Sequence, residues 1–175
     1  DTVSGSDAVA AFDAAVIAAH ADEALAMLAD PSPDEQRLLG PWRYQENPTV
    51  LHTDPAVMPT ARRAWSSWNY VSEDEALAAP VSVSYHMNRL MGLSTRAEYF
   101  VTLNGAQAPR DGSVVREMVY THPTFTFASL GTQAQLPQLQ GVRGTYYCGS
   151  YHGYGFHEDA VRSGLAVAAH FGESL

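Results

Sequence analysis

The stretch GTYYCGSYHGYGFHEDAVRSGLAVA (144–168) decides how this chain is read. A strand, TYYCG (145–149), runs into a turn with glycines at 149, 153 and 155. A helix is expected over about 159–171, with Leu165, Ala168 and Ala169 packing inward. A helix start presents unpaired N–H groups and a partial positive charge, so it attracts an anion or a polarised carbonyl. Gly153-Tyr154-Gly155 opens like a dinucleotide fingerprint, but Glu158 holds the third glycine position. Glu158 and Asp159 would repel a pyrophosphate and better suit a helix start facing a neutral ring carbonyl. The plainer reading is a glycine turn with ordinary dipole-compensating acids.

The opening of the chain repeats this pattern. FDAAVIAAH (12–20) reads as a buried strand, and ADEALAMLA (21–29) continues it as a helix with Ala24, Leu25 and Leu28 on one face. The two strand-to-helix units are expected to lie near each other. Ser32 with Glu35 three residues on is a capping box, Pro33 sits at the first helical position, and Gly40 closes a short second helix. Between them the character changes. WRYQ (42–45), TVLHT (49–53), AWSSWNYV (64–71), VSVSYHMNRL (81–90), EYFVTL (98–103) and VVREMVYT (114–121) are β-branched and aromatic runs, which predict a mostly antiparallel sheet. Val81, Val83 and Tyr85 alternate with Ser82, Ser84 and His86, the period of a sheet with one buried face. ASLGTQAQLPQL (128–139) predicts a helix weakened by Gly131 and broken by Pro137.

Composition bounds the chemistry. The 175 residues suit one domain or a portion of a larger one. Ten basic residues, all arginine, stand against nineteen acids, for a net charge of −9. That balance disfavours a nucleic-acid backbone or an anionic membrane as partner. The absence of lysine removes Schiff-base and Walker-type phosphate chemistry. A single cysteine, Cys148, excludes an intrachain disulfide and points to a reducing, cytoplasmic compartment, with the thiol inert inside a strand. No apolar run reaches the length of a membrane span. The chain opens on Asp1 rather than Met, the expectation being a processed chain or the back half of something longer. His152 and His157 lack metal-ligand spacing, so no metal is expected. A hydrolase elbow at Ser150 fails because Cys148 stands where glycine is required. Trp68 and Tyr70 share a strand face, with Trp65 on the other. That face is either sheet core or the wall of an apolar substrate channel, with Tyr85, His86 and Asn88 as polar contacts. Arg62-Arg63 reads as a solvated turn, and Arg89 and Arg162 are free to pair with acids or a substrate carboxylate.

Four stretches, FDAAVIAAHADEALAML (12–28), HTDPAVMPTARRAWSSWNY (52–70), VSVSYHMNRL (81–90) and 144–168, carry a resemblance that spans nearly the whole chain in order. The chain resembles the C-terminal half of the flavin-containing amine oxidase superfamily, and within it the bacterial branch of predicted NAD/FAD-binding oxidoreductases. The resemblance implies an α+β chain that forms part of an α/β FAD-binding fold. Residues 1–40 would be the late strand and helices of the FAD-binding domain, 41–140 a mostly antiparallel substrate domain, and 141–175 the C-terminal flavin-binding strand, turn and helix. It places Gly149 and Ser150 beside the ribityl–pyrophosphate region. Phe156, His157, Glu158 and Ala160 would lie beside the flavin ring, Gly155 would let the backbone approach it, and Ala19 and His20 would lie near the cofactor. Trp68, Tyr70, Tyr85 and Phe156 would line the substrate site, and no catalytic residue is assigned. Ser150 and Tyr151 follow Gly149 where the family usually has an acid, and there is no lysine for the flavin N5. The N-terminal GxGxxG element is not in this sequence. The implied function is the C-terminal part or subunit of an FAD-dependent oxidoreductase, inactive in isolation. It would move hydride between flavin and an organic substrate, with apolar or unsaturated acyl chains among the options. FAD binding would require a partner carrying the N-terminal half. The alternative is a non-catalytic subunit or fragment that binds such a partner chain. Self-association would also cover an exposed apolar surface.

Overall fold

The computed structural model describes residues 10–71 and 82–173; Val81 and the first nine residues, which carry some of the expectations above, lie outside them. The described chain is α+β, with a two-stranded parallel pair and a five-stranded sheet. It divides into two compact units. One combines residues 1–44 with 123–175, and the other spans 45–122.

In the first unit, β1 (Ala15–Ala18) pairs in parallel with β7 (Thr145–Cys148), Ala15 opposite Thr145 and Ala18 opposite Cys148. The expected closeness of these two segments is therefore present. Strand β1 leads to α1 (Ala21–Met27), and α2 (Pro33–Leu39) follows. At the start of α2 the Glu35 amide donates to Ser32 Oγ (3.2 Å), and the Ser32 amide donates back to the Glu35 carboxylate (2.6 Å). Tyr147 of β7 donates its hydroxyl to the other Glu35 oxygen (2.6 Å), tying helix to strand through a buried acid. The core gathers Ala21, Ala24, Leu38, Leu39, Leu136 and Tyr151 around Trp42. The Trp42 indole N–H donates to Thr132 Oγ1 (3.2 Å) and its ring meets Phe125 and Tyr151 edge-on. A buried indole with its donor satisfied gives large apolar burial at no polar cost. The expected helix over 128–139 is shorter. α4 covers Phe127–Gln133, and the Pro137 segment forms a separate 3-10 turn, Leu136–Leu139.

In the second unit the sheet order is β3-β4-β5-β2-β6, from β2 (Arg43–His52), β3 (Trp68–Val71), β4 (Ser82–His86), β5 (Phe100–Leu103) and β6 (Val114–Thr124). Strands β2 and β6 carry the chain from one unit to the other. WRYQ and TVLHT belong to one strand rather than two. The run at 64–71 becomes strand only from Trp68, after a 3-10 turn at Arg62–Ala64. The run at 81–90 ends as strand at His86, where α3 (Met87–Met91) begins. Past the β-branched and aromatic residues the composition turns to helix formers, and Gly92 in the left-handed region (φ 63°) closes the helix.

Burial in this sheet inverts the usual apolar-in pattern. Ser84 and His86 are buried, while Val83 and Tyr85 are only partly covered. The cause is cross-strand pairing. Ser84 lies opposite Thr102 and His86 opposite Phe100, which in turn faces His52. The Asp54 amide donates to His52 Nδ1 (3.2 Å), so the neutral ring carries its proton on Nε2 and donates to Thr102 Oγ1 (2.9 Å). Thr102 can then donate on to Ser84 Oγ (2.8 Å). Burial pushes the His52 ring pKa down, which keeps it neutral. Phe100 stacks on both imidazoles, and with Trp65 and Met58 supplies the apolar part of this interior.

Asp54 fastens the loop after β5 beneath this face. It accepts from the Arg110 amide (2.9 Å), Arg110 Nε (3.0 Å) and the Ala56 amide (3.0 Å). The Arg110 side-chain bond is the largest influence holding its carboxyl down at about 2. A depressed carboxylate pKa adds stability that is complete above about pH 4 and lost as pH falls toward 2. Because Arg110 is solvent-exposed, we expect about 1–2 kcal/mol from this source. Asp54→Asn should remove that amount at pH 7 and flatten the acid side of the stability profile, as read by urea unfolding between pH 2 and 7.

Candidate functional site

The carboxyl ends of β1 and β7 open into a cleft of about 390 Å3. Ala18, Ala19 and His20 line it from β1, and Cys148, Gly149 and Ser150 from β7. Glu23 of α1 and Ala160 of α5 (His157–His170) complete it. Its walls are mostly backbone and small side chains, because both strands end in residues that leave the main chain bare. His20 is fixed rather than free. Its ring stacks on Tyr44 at 4.2 Å and its amide donates to the Glu23 carboxylate (3.2 Å). Tyr44 accepts the Ala21 amide N–H (2.9 Å), and burial pushes its own pKa up to about 12.

Gly149 is held by Ser163 of α5. The Gly149 amide donates to Ser163 Oγ (2.9 Å), whose own proton reaches the Ala160 carbonyl (2.8 Å) or the Gly149 carbonyl (3.1 Å). A Cβ at Gly149 would stand 2.7 Å from the Tyr151 ring and 3.0 Å from the Ala19 carbonyl oxygen. The bare backbone here is demanded by the chain's own packing. Ser163 was not legible as a site residue, although its spacing with Ala160 and Val167 marks one helix face. That face, Ser163 and Val167, is the buried one; Leu165 and Ala169 are exposed, contrary to the inward face expected for this helix. The helix also starts earlier, at His157.

The helix start is largely closed by its own residues. Asp159 Oδ2 accepts both the Tyr154 and Phe156 amides (3.0 Å each). Two N–H groups of this turn are therefore taken by the chain's own carboxylate rather than left for an outside acceptor. The His157 and Glu158 amides alone remain without a partner there among the described residues. Gly153 faces the Asp159 carboxylate, which a Cβ would overlap. Gly155 needs its left-handed φ of 90° and packs on Phe125 and Pro123, away from the cleft. Glu158 pairs with Arg162 (3.3 Å) and Phe156 projects outward. Of the residues expected beside the cofactor, the structure thus brings Gly149, Ser150 and Ala160 to the cleft and leaves Gly155, Phe156, His157 and Glu158 off its lining. In the same turn, burial pushes the His152 ring down to about 4, so it carries no charge at neutral pH.

In the second unit, the face opposite the buried polar one carries Trp68, Tyr70 and Tyr85. Trp68 pairs with Tyr85, which pairs with Val101, opposite Leu51; Tyr70 pairs with Val83, which pairs with Leu103. These two rows form an open apolar surface, with Trp68 55% exposed. The face is therefore not sheet core. His86 points to the other side, where Nε2 meets the Glu98 carboxylate (2.6 Å). Asn88 is engaged with Thr95, Ala97 and Tyr99.

No family model matches the sequence, and no match is found among curated proteins. The site therefore rests on its own geometry. Two glycine substitutions test that geometry. Gly149→Ala should destabilise by about 1–3 kcal/mol through overlap with Tyr151 and Ala19. Gly164→Ala, whose Cβ would meet nothing within 4 Å, should stabilise α5 by about 0.5–1 kcal/mol. Thermal unfolding of both variants should move in opposite directions.

Proposed function

We propose that this chain is the C-terminal part of an FAD-dependent oxidoreductase of the amine oxidase type. The observation that supports it best is the parallel pairing of β1 with β7, with a cleft at the carboxyl ends of both strands. In open α/β arrangements, ligands bind outside the carboxyl ends of parallel strands. The cleft volume lies at the lower end of the roughly 300–1,000 Å3 typical of small-molecule sites, which suits a portion of a dinucleotide rather than all of it. Its bare backbone at Ala19, Gly149 and Ser150 leaves room for a flat group, and Glu23 with no arginine on the lining favours a part of the cofactor without phosphate.

In this reading Ala18, Ala19, Gly149, Ser150 and Ala160 hold the cofactor by shape. A bound flavin supplies two-electron chemistry, accepting or returning a hydride at its ring. Trp68, Tyr70 and Tyr85 offer a flat apolar wall that excludes water from a substrate of similar polarity. That wall leans the substrate class toward apolar chains. The exposed aromatics Phe127, Tyr154 and Phe156 favour a second reading, a non-catalytic subunit that docks a chain carrying the GxGxxG half.

Flavin binding separates the two. FAD titrated into the protein, alone and together with a polypeptide carrying a GxGxxG dinucleotide-binding half, should lose its fluorescence on binding, more tightly with the second chain present. Ala160→Leu fills the cleft from a helical position and should weaken that binding at least tenfold with an unchanged melting temperature. Binding that ignores Ala160→Leu would remove the cleft from the cofactor site. A complex that forms without taking up flavin would favour the non-catalytic subunit.

A further inference from the structure

Arginine and exposed aliphatic side chains gather at one end of the five-stranded sheet. The start of β3, the end of β4 and the start of β5 meet there, as the Trp68–Tyr85 and His86–Phe100 pairings require. Trp65 is the hub. The Arg62 guanidinium lies 4.6 Å over its ring, and Arg89 Nη1 donates to its carbonyl (3.1 Å). Asn88 pins the following loop by donating to Thr95 Oγ1 and the Ala97 carbonyl (2.8 Å each) and accepting the Tyr99 amide (2.7 Å). On this fixed support Leu90, Met91 and Leu93 stand exposed, Met91 at 64%, with the turn at Gly92 between the last two.

Charge is segregated to match. Residues 58–71 and 82–99 hold four arginines, at 62, 63, 89 and 96, and one acid, Glu98. Glu98 is already engaged by Arg62 and His86. All four arginines are exposed. We propose that this end of the sheet docks onto an anionic phospholipid bilayer, with Leu90, Met91 and Leu93 entering the headgroup boundary and the arginines facing lipid phosphates. Exposed aliphatic side chains close in sequence to exposed cations suit an interfacial anchor. The chain's net charge of −9 does not prevent it, because charges beyond a Debye length of about 8 Å are screened at physiological salt. The proposal stands independently of the flavin reading.

The test is flotation with vesicles of phosphatidylcholine alone and of phosphatidylcholine mixed with phosphatidylglycerol. The protein should float with the anionic vesicles only, and added salt should release it. Arg63→Ala and Arg96→Ala should each weaken partitioning by about fivefold. Met91→Glu should abolish it while the melting temperature holds, and Arg162→Ala, on the first unit, should leave it unchanged. Equal binding to both vesicles, no binding to either, or binding indifferent to Met91→Glu would overturn the proposal. So would a concentration-dependent dimer that Met91→Glu converts to monomer, since the tip would then serve a second copy of this chain.

Discussion

The parallel pairing of β1 with β7 is the constraint on which the first unit depends. It joins Ala15 to Thr145 across nearly the whole described chain, so every element between them must leave and return. Closing so long a loop costs less than its length suggests, because each doubling adds only about 0.6 kcal/mol. The residues between those points include a second compact unit, 45–122. The pairing also makes the cleft. Two strands that run the same way deliver their carboxyl ends, and the helices that follow, to the same place.

The second unit solves a different problem. Its sheet hides serine, threonine and histidine and shows valine, leucine, tyrosine and tryptophan. Such an arrangement is stable when most hidden polar groups find a partner. The chain from the Asp54 amide through His52 and Thr102 to Ser84 supplies partners for those three side chains, and its direction follows from one backbone donor, while His86 meets Glu98 through Nε2 and buries Nδ1 without a partner. The apolar rows lie on the other face of the same sheet, where Trp68 and Tyr70 are exposed.

Local signals were the legible ones. The Ser32–Glu35 capping box with Pro33, the glycine at 92 beyond a helix, and the two strand-to-helix exits all depend on residues a few positions apart. The α+β class followed from them. What could not be read depends on partners far along the chain. Ser84 and His86 are buried because Thr102, Phe100 and His52 lie beside them, and no alternation within 81–90 encodes that. Ser163 is a site residue only because β7 brings Gly149 to it. The amides of the final helix start were legible as donors, but Asp159 folds back on two of that turn's N–H groups, and its sequence position serves equally well as dipole compensation. In the candidate site the small residues were recognisable at Gly149, Ser150 and Ala160. Gly155 suggests an approach to a ring when its role is a left-handed turn over Phe125.

Parallel pairing has a mechanical consequence as well. The amino end of β1 and the carboxyl end of β7 point in opposite directions, so a pull applied through the segments beyond them loads the pair in shear. Its four paired positions then bear the force together; an antiparallel pair with the same connections would unzip position by position. A helix peeled from its far end also meets resistance at Ser163, whose grip on Gly149 passes the load to the strand. The cleft lies between these two points of resistance, and it should keep its shape under a tension that unravels the rest of the terminal helix.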